Sequence, residues 1–338
     1  MKTLFILLFF AVFAAFAETS IYGNENRFMF ASPRSFALGE ANNAISDEPI
    51  PANNPASIIL AQRTNFFAGY TSFYNNILWV GNTYATVLID SLNVASFFVG
   101  YLSIPDIDSV RSILGSDPND TLGYEISMVS SSELSINFNF ARKLINSGRV
   151  NLSVGASVNM TRKRLIDLTG YGLGADVGVL LATDRGNNVS LQIDNVLTQY
   201  TRWDGGQYSE NTLPQCFLSY GHSRDINENL RVNLVYRSPD IFGNSGVVGS
   251  TLGEGNMFKD NVRSGSIIEN PQNIFTAAGY GAEFIIKQLV ALRAGLTSSH
   301  KLTFGGGVRL FERADIDFGY FYSSALDGTY GISFRFYL

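Results

Sequence analysis

Apolar and polar residues alternate along most of the chain from residue 64 to its end. The segments Leu134–Phe140, Val150–Met160 and Leu230–Tyr236 each place an apolar side chain at every second position. A period of two is the pattern of a β-strand with one apolar and one polar face. It predicts about fourteen strands, over residues 64–72, 77–89, 92–103, 124–142, 149–161, 171–182, 189–196, 212–222, 230–237, 272–286, 290–298, 302–311, 314–322 and 329–338.

The last predicted strand has the most regular alternation. Its faces carry Tyr330, Ile332, Phe334, Phe336 and Leu338 on one side and Gly331, Ser333, Arg335 and Tyr337 on the other. The apolar face would be core in a soluble sandwich, whereas in an outer-membrane barrel it would contact lipid, with Arg335 in the lumen. The pattern Thr329, Gly331, Phe334 and Phe336 resembles the terminal signal by which barrel assembly machinery recognises outer-membrane proteins. Tyr337 and Leu338 extend beyond the usual end of that signal.

The connections between the predicted strands sort by length. One side has the short turns 90–91, 145–148, 184–188, 287–289 and 312–313, and the other has the long loops 104–123, 197–211 and 238–271. Short periplasmic turns and long outer loops are typical of bacterial outer-membrane barrels, as is an even number of strands. The sequence therefore predicts an all-β fold, a transmembrane antiparallel β-barrel of about fourteen strands over residues 64–338.

Residues 1–17 have the pattern of a signal peptide, with Lys2 before an apolar run and Ala15-Phe16-Ala17 before the expected cleavage point. The run is too short to span a bilayer. No later segment has 18 consecutive apolar residues, so a membrane form of this chain has to be a closed barrel. These features predict export to the outer membrane of a Gram-negative bacterium, where lipid surrounds the barrel.

Residues 18–63 do not alternate. A helix is expected near Ser35–Ala44, and Pro49, Pro51 and Pro55 prevent regular structure from continuing. The segment is either a polar leader before the first strand or a hatch that folds inside the lumen. A hatch is the stronger expectation, because the inward faces of the middle strands carry mostly small residues and a fourteen-stranded barrel is too wide for side chains alone to fill.

Composition excludes several classes of function. The formal net charge is −5, so there is no basic footprint for nucleic acid. Cys216 is the single cysteine and is expected on the lipid face, and the two histidines, His222 and His300, are expected at opposite rims. Neither a catalytic site, a metal site nor a cofactor site is predicted, and the chain is not expected to be an enzyme.

Charged residues at inward positions of the last five strands form the main candidate site. They are Glu283, Arg293, Arg309, Asp315, Asp317 and Arg335. Opposite charges on neighbouring strands can pair, so the set is either a structural ladder of ion pairs or the lining of a ligand or ion path. The first three strands differ, because Phe66, Phe67, Phe97 and Phe98 leave neither of their faces polar. Either an apolar hatch packs against their inward face, or bulges shift the register of the alternation.

The outer loop 238–271 is rich in glycine and yet carries apolar residues, among them Ile241, Phe242 and Leu252. Apolar groups on an outer loop indicate a lid or a surface for a partner. A disordered loop is the alternative.

Short motifs resemble one superfamily. Before the first strand stand the hatch-like residues Gly39, Glu40, Asn54, Pro55 and Ala56, with the acidic pair Asp47-Glu48 between them. They resemble the hatch of FadL-type long-chain fatty-acid transporters and of the PorV/PorQ-type proteins of type IX secretion, which share the fold. Later motifs favour the PorV/PorQ type, namely Gly174-Ala-Asp-Val-Gly178, Gly281-Ala-Glu283, Ala291-Leu-Arg-Ala-Gly295, Phe304-Gly-Gly-Gly307, Asp315-Ile-Asp-Phe-Gly319 and Gly331-Ile-Ser333. Glu40 departs from it, because PorV/PorQ proteins usually carry a second glycine there.

Three functions are open. The resemblance implies first a type IX secretion component that binds exported proteins or secretion machinery. The alternative is a FadL-like channel for long-chain fatty acids or other hydrophobic ligands. The third is a structural outer-membrane protein without cargo.

Overall fold

A computed structural model describes residues 20–21, 25–113, 123–196, 199–204, 209–244, 267, 270–323 and 327–338. Its strands are β1 (Ser20–Ile21), β2 (Asn65–Phe73), β3 (Leu78–Leu88), β4 (Asn93–Ile113), β5 (Gly123–Asn146), β6 (Val150–Leu165), β7 (Leu168–Thr183), β8 (Asn187–Asp194), β9 (Gln199–Trp203), β10 (Ser209–Thr212), β11 (Gln215–Asn227), β12 (Leu230–Arg237), β13 (Gly279–Ile286), β14 (Val290–Leu296), β15 (Leu302–Leu310), β16 (Ala314–Ser323) and β17 (Asp327–Tyr337). The strands β2–β8 and β11–β17 form an antiparallel barrel, in which β8 pairs with β11 and β17 closes the circle against β2. The predicted fourteen-stranded barrel is confirmed.

Three short strands lie outside this circle. Strand β9 pairs with the Gly170–Leu173 stretch of β7, beyond the point where β8 ends, and β10 pairs with β9. Strand β1 runs parallel to β10. The predicted loop 197–211 therefore includes a small extension of the sheet.

The outer face of the barrel is apolar. On β17, for example, Tyr330, Ile332, Phe334 and Phe336 are between 37% and 56% exposed, while Arg335 between them is 4% exposed. The ring of Trp79 contacts those of Tyr70 and Tyr101 near the end of the barrel that carries the long loops. An apolar band edged by aromatic residues is the surface of a bacterial outer-membrane barrel, with its short turns in the periplasm.

No helix in the described part of the chain is long and apolar enough to cross a membrane.

The segment before the barrel is irregular and lies against inward-facing side chains. Its elements are the 3-10 helices η1 (Glu25–Phe30), η2 (Asn42–Ala44) and η3 (Pro55–Leu60) and the helix α1 (Pro33–Ala37). We call residues 25–63 the N-terminal segment. Helix α1 begins where the Ser32 hydroxyl accepts a hydrogen bond of 3.1 Å from the Ser35 amide. The range Ser35–Ala44 predicted for this helix is wrong, because α1 ends before Gly39 and Glu40, which take positive φ angles of 65° and 60°.

Several strand boundaries also differ from the prediction, and residues 272–286 and 104–123 differ most. Residues 272–286 hold the helix α2 (Asn273–Thr276) before β13. The hydroxyls of Tyr236 and Tyr280 donate to the carbonyls of Ile274 and Phe275, which satisfies backbone groups that a strand would have paired.

The described residues of the predicted loop 104–123 are strand, since β4 and β5 stay paired as far as Ile113 and Gly123. The ladder breaks between Ile104 and Ile107, around Pro105, which has no amide hydrogen to donate.

Three further predictions concern the signal peptide, the loop 238–271 and Cys216. The signal peptide and most of the loop 238–271 lie outside the described residues. Cys216 lies on the same face of β11 as Leu218 and Tyr220, as the alternation predicted, but its side chain is buried there at 5% exposure. The chain that follows β12 runs beside this end of β11, where the Ile241 amide donates a hydrogen bond of 2.7 Å to the Cys216 carbonyl.

Candidate functional site in the barrel lumen

A buried ion-pair network joins the N-terminal segment to the last strands. Arg34 donates from Nε and Nη2 to the two oxygens of Glu283, at 3.2 and 3.0 Å. Arg293 lies on the neighbouring strand and also donates to Glu283, at 2.7 Å, while its Nη1 contacts Asp317 at 2.6 Å. Asn233 adds an amide hydrogen bond of 2.6 Å to Glu283. The carboxylate of Glu283 is therefore fully hydrogen-bonded, which a buried charge requires.

Arg335 makes a second connection of the same kind. Its guanidinium donates to Asp47 at 2.8 Å and to Glu48 at 2.7 Å. The Ser32 hydroxyl donates to the other oxygen of Glu48 at 2.6 Å, and all of Glu48 is buried. Both ion-pair partners of Arg335 thus belong to the N-terminal segment, while the wall contributes the rings of Phe67 and Tyr84 beneath its guanidinium.

Arg309 and Asp315 form a separate pair. Their side chains meet at 2.7 Å, and the Tyr337 hydroxyl donates to Asp315 at 2.6 Å. The Arg309 side chain is 42% exposed, so water screens this pair more than the network around Glu283. Of the six predicted lumen charges, Glu283, Arg293 and Asp317 form one group and Arg309 and Asp315 another, whereas Arg335 makes its ion pairs with the N-terminal segment.

Arg27 makes a third connection, to the middle strands. It donates to both oxygens of Asp176, one at 3.0 Å, and lies 3.3 Å from Asp194. Ser157 and Asn159 donate to the same carboxylate at 2.7 and 2.6 Å. These residues were not among the predicted sites. The inward position of Asp176 within an alternating strand was the available signal, since a charge there needs a partner.

The Asn54–Ala56 turn fits a notch in the barrel wall. The Asn54 side-chain oxygen accepts a hydrogen bond of 2.8 Å from the Ala56 amide and so caps η3. Its amide nitrogen donates to the carbonyls of Val179 and Leu191 on two neighbouring strands, at 3.0 and 3.2 Å. The notch exists because Gly155 and Gly178 pair with each other, and a Cβ on either would collide with this turn.

A second notch receives the end of α1. Gly281 and Gly295 pair across β13 and β14, and a Cβ on either would meet the backbone of Leu38 or Gly39. Gly39 in turn lies against the carbonyls of Tyr280 and Leu296, so a side chain there has no space.

Apolar side chains fill the lumen beside the first three barrel strands. Phe30 and Phe36 of the N-terminal segment meet Phe98 and Phe73 of the wall edge to face. The cluster comprises Phe30, Ala31, Phe36, Ile50, Phe67, Phe73, Leu78, Val80, Tyr84, Phe98, Leu102 and Phe321. The N-terminal segment therefore supplies the apolar partner that these strands required.

A cavity of about 600 Å³ opens below the N-terminal segment. Residues of the periplasmic turns, such as Asn229, Lys287 and Glu312, line its mouth, and the charged groups around Glu283 and Arg335 line its interior. The lumen thus has a charged periplasmic side and an apolar side beneath β2–β4.

The remaining predicted residues lie apart from the lumen contacts or at its edge. Phe334 and Phe336 of the expected insertion signal point outwards, while Thr329 is buried and accepts a hydrogen bond of 3.2 Å from the Tyr74 amide. His222 lies on β11, where its Nδ1 is 2.9 Å from the side-chain oxygen of Asn187, and His300 lies in the turn after β14. Among the described residues, no three His, Cys, Asp or Glu side chains are grouped to hold a metal ion.

No protein-family model matches the sequence, and no curated protein matches it either. Solved structures do resemble the fold. The toluene transporter TodX of Pseudomonas putida superposes with a TM-score of 0.53 at 11% identity, over 94% of this chain and 98% of TodX. The monoaromatic hydrocarbon channel CymD gives 0.51 at 11% identity, over 94% and 99%. A FadL homologue of Pseudomonas aeruginosa gives 0.50 at 10% identity, over 90% and 98%.

At this level of identity the likeness shows a shared fold, that of FadL-type outer-membrane barrels. It spans almost the whole of each compared chain. Of these three structures, TodX is a transporter, CymD is a channel and the third is a FadL homologue.

Proposed function

We propose that this protein is an outer-membrane channel for small hydrophobic molecules. The observation that carries the proposal is the apolar cluster between the N-terminal segment and β2–β4, inside a barrel of the FadL-type fold. Moving a hydrophobic solute from water onto an apolar surface lowers its free energy, whereas moving it into the charged periplasmic cavity does not. The apolar side of the lumen is therefore the route expected for such a solute.

The N-terminal segment controls access to that route in this proposal. Phe36 lies between the rings of Phe73 and Phe321, with centroid distances of 5.5 and 6.0 Å, so the cluster is closed by packing. Passage requires the segment to yield at this point while its ion pairs with Glu283 and Arg335 keep it in the lumen. The plug function of the segment is part of the proposal.

Whole-cell uptake tests the function. Labelled toluene and labelled oleate would be supplied to a Gram-negative host that lacks its own hydrophobic-molecule channels, with equal amounts of folded protein in each outer membrane. The wild type should raise the uptake of at least one of them above an empty vector. Phe36→Asn places an unpaired amide in the apolar cluster and should lower uptake, whereas Phe36→Leu keeps the cluster apolar and should preserve it. Uptake at the vector level for both solutes would reject the proposal.

Type IX secretion is the second candidate and rests only on the short motifs of the resemblance. Glu40 weakens it: it adopts the left-handed conformation that favours glycine, where PorV/PorQ proteins usually have one. Affinity purification from outer membranes distinguishes the two functions. Exported proteins or secretion machinery in the eluate, together with no uptake, would favour secretion over transport.

A further inference from the structure

Two arginines flank a tyrosine on the outer face of the barrel. In the register of the sheet, Arg162 of β6 is paired with Tyr171 of β7, and Tyr171 is paired with Arg202 of β9. All three side chains are exposed, and Tyr171 is 56% exposed. Neighbouring strands lie about 4.8 Å apart, so the two arginines are separated by about 10 Å across the tyrosine. We call Arg162, Tyr171 and Arg202 the arginine row.

The arginine row lies at the upper edge of the lipid-facing band. From Val150 at the periplasmic end of β6 to Met160 is eleven residues, and a transmembrane strand needs about 9–11. Met160 is paired with Leu173, and Leu173 with Tyr200, so the level just below the row is apolar and aromatic. The arginines therefore stand where the hydrocarbon of the outer leaflet ends and its headgroups begin.

The arginines have no acidic partner within the described part of the chain. Neither Arg162 nor Arg202 forms an ion pair there, in contrast to the exposed Arg231, which contacts Asp225 at 2.6 Å. Arg164, one step further out on β6, is exposed as well and donates only a long hydrogen bond to the Ile166 carbonyl, at 3.4 Å. Asp204 lies beyond Arg202 and leaves the group with a net positive charge.

Among the residues that the structure describes, this feature lies on one side of the barrel. At the same end, the described outer face of β2–β4 carries the rings of Tyr70, Trp79 and Tyr101. The outer face of β12 and β13 carries Tyr236 and Tyr280. An aromatic girdle is expected all round a barrel of this kind, whereas arginines on β6 and β9, on either side of β7 and without an ion pair among the described residues, call for a local anion.

We infer that the arginine row binds the phosphate groups of a phosphorylated glycolipid of the outer leaflet, of the lipid A class. The guanidinium of arginine is a planar fork of hydrogen-bond donors that matches the oxygens of a phosphate. The negative charge of that phosphate strengthens these hydrogen bonds. Tyr171 and Tyr200 would contact the sugar and the ester region, and Met160 and Leu173 the acyl chains. This site is on the lipid face and is independent of the proposed channel.

Lipid titration of the purified protein in detergent, followed by native mass spectrometry, tests the inference. The variant Arg162→Gln/Arg202→Gln should bind diphosphoryl lipid A about 30-fold more weakly than the wild type. The control Arg142→Gln/Arg149→Gln removes two exposed arginines from the periplasmic end of β5 and the turn after it, and should stay within about twofold. Equal heat-modifiable migration of all three proteins on a gel would show that the barrels are folded.

Two further lipids identify what is recognised. Lipid A without its phosphates should bind the wild type as weakly as lipid A binds the double variant. Phosphatidylglycerol has one phosphate and should bind more weakly than diphosphoryl lipid A. The inference is overturned if the double variant keeps wild-type affinity, if the control loses as much, or if removing the phosphates from lipid A leaves its affinity unchanged.

Discussion

Glu48 and Arg335 lie 287 residues apart in the chain, and the guanidinium of Arg335 donates a hydrogen bond of 2.7 Å to the Glu48 carboxylate. Both side chains are buried. Such a contact attaches the N-terminal segment to the strand that closes the barrel. It makes the position of the N-terminal segment depend on β17 being in place.

The first prediction concerns this pair. Arg335→Gln should destabilise the folded protein by about 3–5 kcal/mol, because it leaves buried carboxylates without their charge partner. Adding Glu48→Gln should restore part of the loss, with a coupling of about 0.5–3 kcal/mol. Urea unfolding followed by tryptophan fluorescence gives the free energies of unfolding. Strictly additive losses would mean that the two residues do not stabilise each other.

The second prediction separates the two groups of wall charges. Arg309 and Asp317 belong to one predicted set of inward charges, but the structure pairs Arg309 with Asp315 and Asp317 with Arg293. The double variant Arg293→Ala/Asp317→Ala should therefore show strong coupling in unfolding free energy. Arg309→Ala/Asp317→Ala should be additive within about 0.5 kcal/mol. A larger coupling in the second pair than in the first would contradict the contacts seen here.

The barrel itself could be predicted from the sequence for a physical reason. A period of two and the length of a turn are properties of a single strand and its neighbour. The two faces of Val150–Met160 and of the last ten residues can therefore be read from their own sequences. The inward position of Glu283, Arg293 and Arg335 follows from the same alternation. The helix α2 and the long pairing of β4 with β5 could not be predicted in this way, because both depend on contacts between residues of different strands.

The partners of the lumen charges were beyond the sequence pattern. Arg34, Asp47 and Glu48 stand in a segment without periodicity, and nothing in their local sequence indicates which wall residue each would meet. Arg27 and Asp176 are 149 residues apart and were missed for the same reason. Gly155 and Gly178 could have been suspected, because glycine inside a strand marks close approach of another backbone.

The third prediction tests the notch beneath Asn54. Gly178→Ala adds a Cβ where the Asn54 side chain lies and should cost about 1–3 kcal/mol of stability, the usual cost of overpacking. Gly81→Ala is the matched control, since a Cβ there would come no closer than 3.8 Å to another atom. It should change the unfolding free energy by less than about 0.5 kcal/mol. Equal stability of the two variants would show that Asn54 is not held in the notch.

The fourth prediction concerns the terminal strand. Phe334 and Phe336 are 43% and 37% exposed on the lipid face, and their aromatic pattern resembles an insertion signal. Phe334→Ala/Phe336→Ala should reduce the amount of folded protein in the outer membrane. Phe304→Ala/Phe318→Ala removes two outward rings from neighbouring strands, which are 53% and 48% exposed, and serves as the control. A heat-modifiability assay on membrane fractions measures both. Equal losses would point to lipid contact in general and not to a terminal signal.

The last prediction addresses the N-terminal segment as a plug. Deleting residues 24–51 removes Arg27, Arg34, Asp47 and Glu48 and with them the charged partners of the wall, while Asn54 and the entry to β2 remain. The cavity of about 600 Å³ would then join the space above it, and water would fill the lumen around the freed wall charges. The truncated barrel should still insert, because β2–β17 and their pairing are unchanged, and its single-channel conductance in a planar bilayer should rise. Arg309→Gln changes the cavity wall without moving the segment, so it should conduct like the full-length protein. Equal conductance of truncated and full-length barrels would show that the segment does not close the lumen.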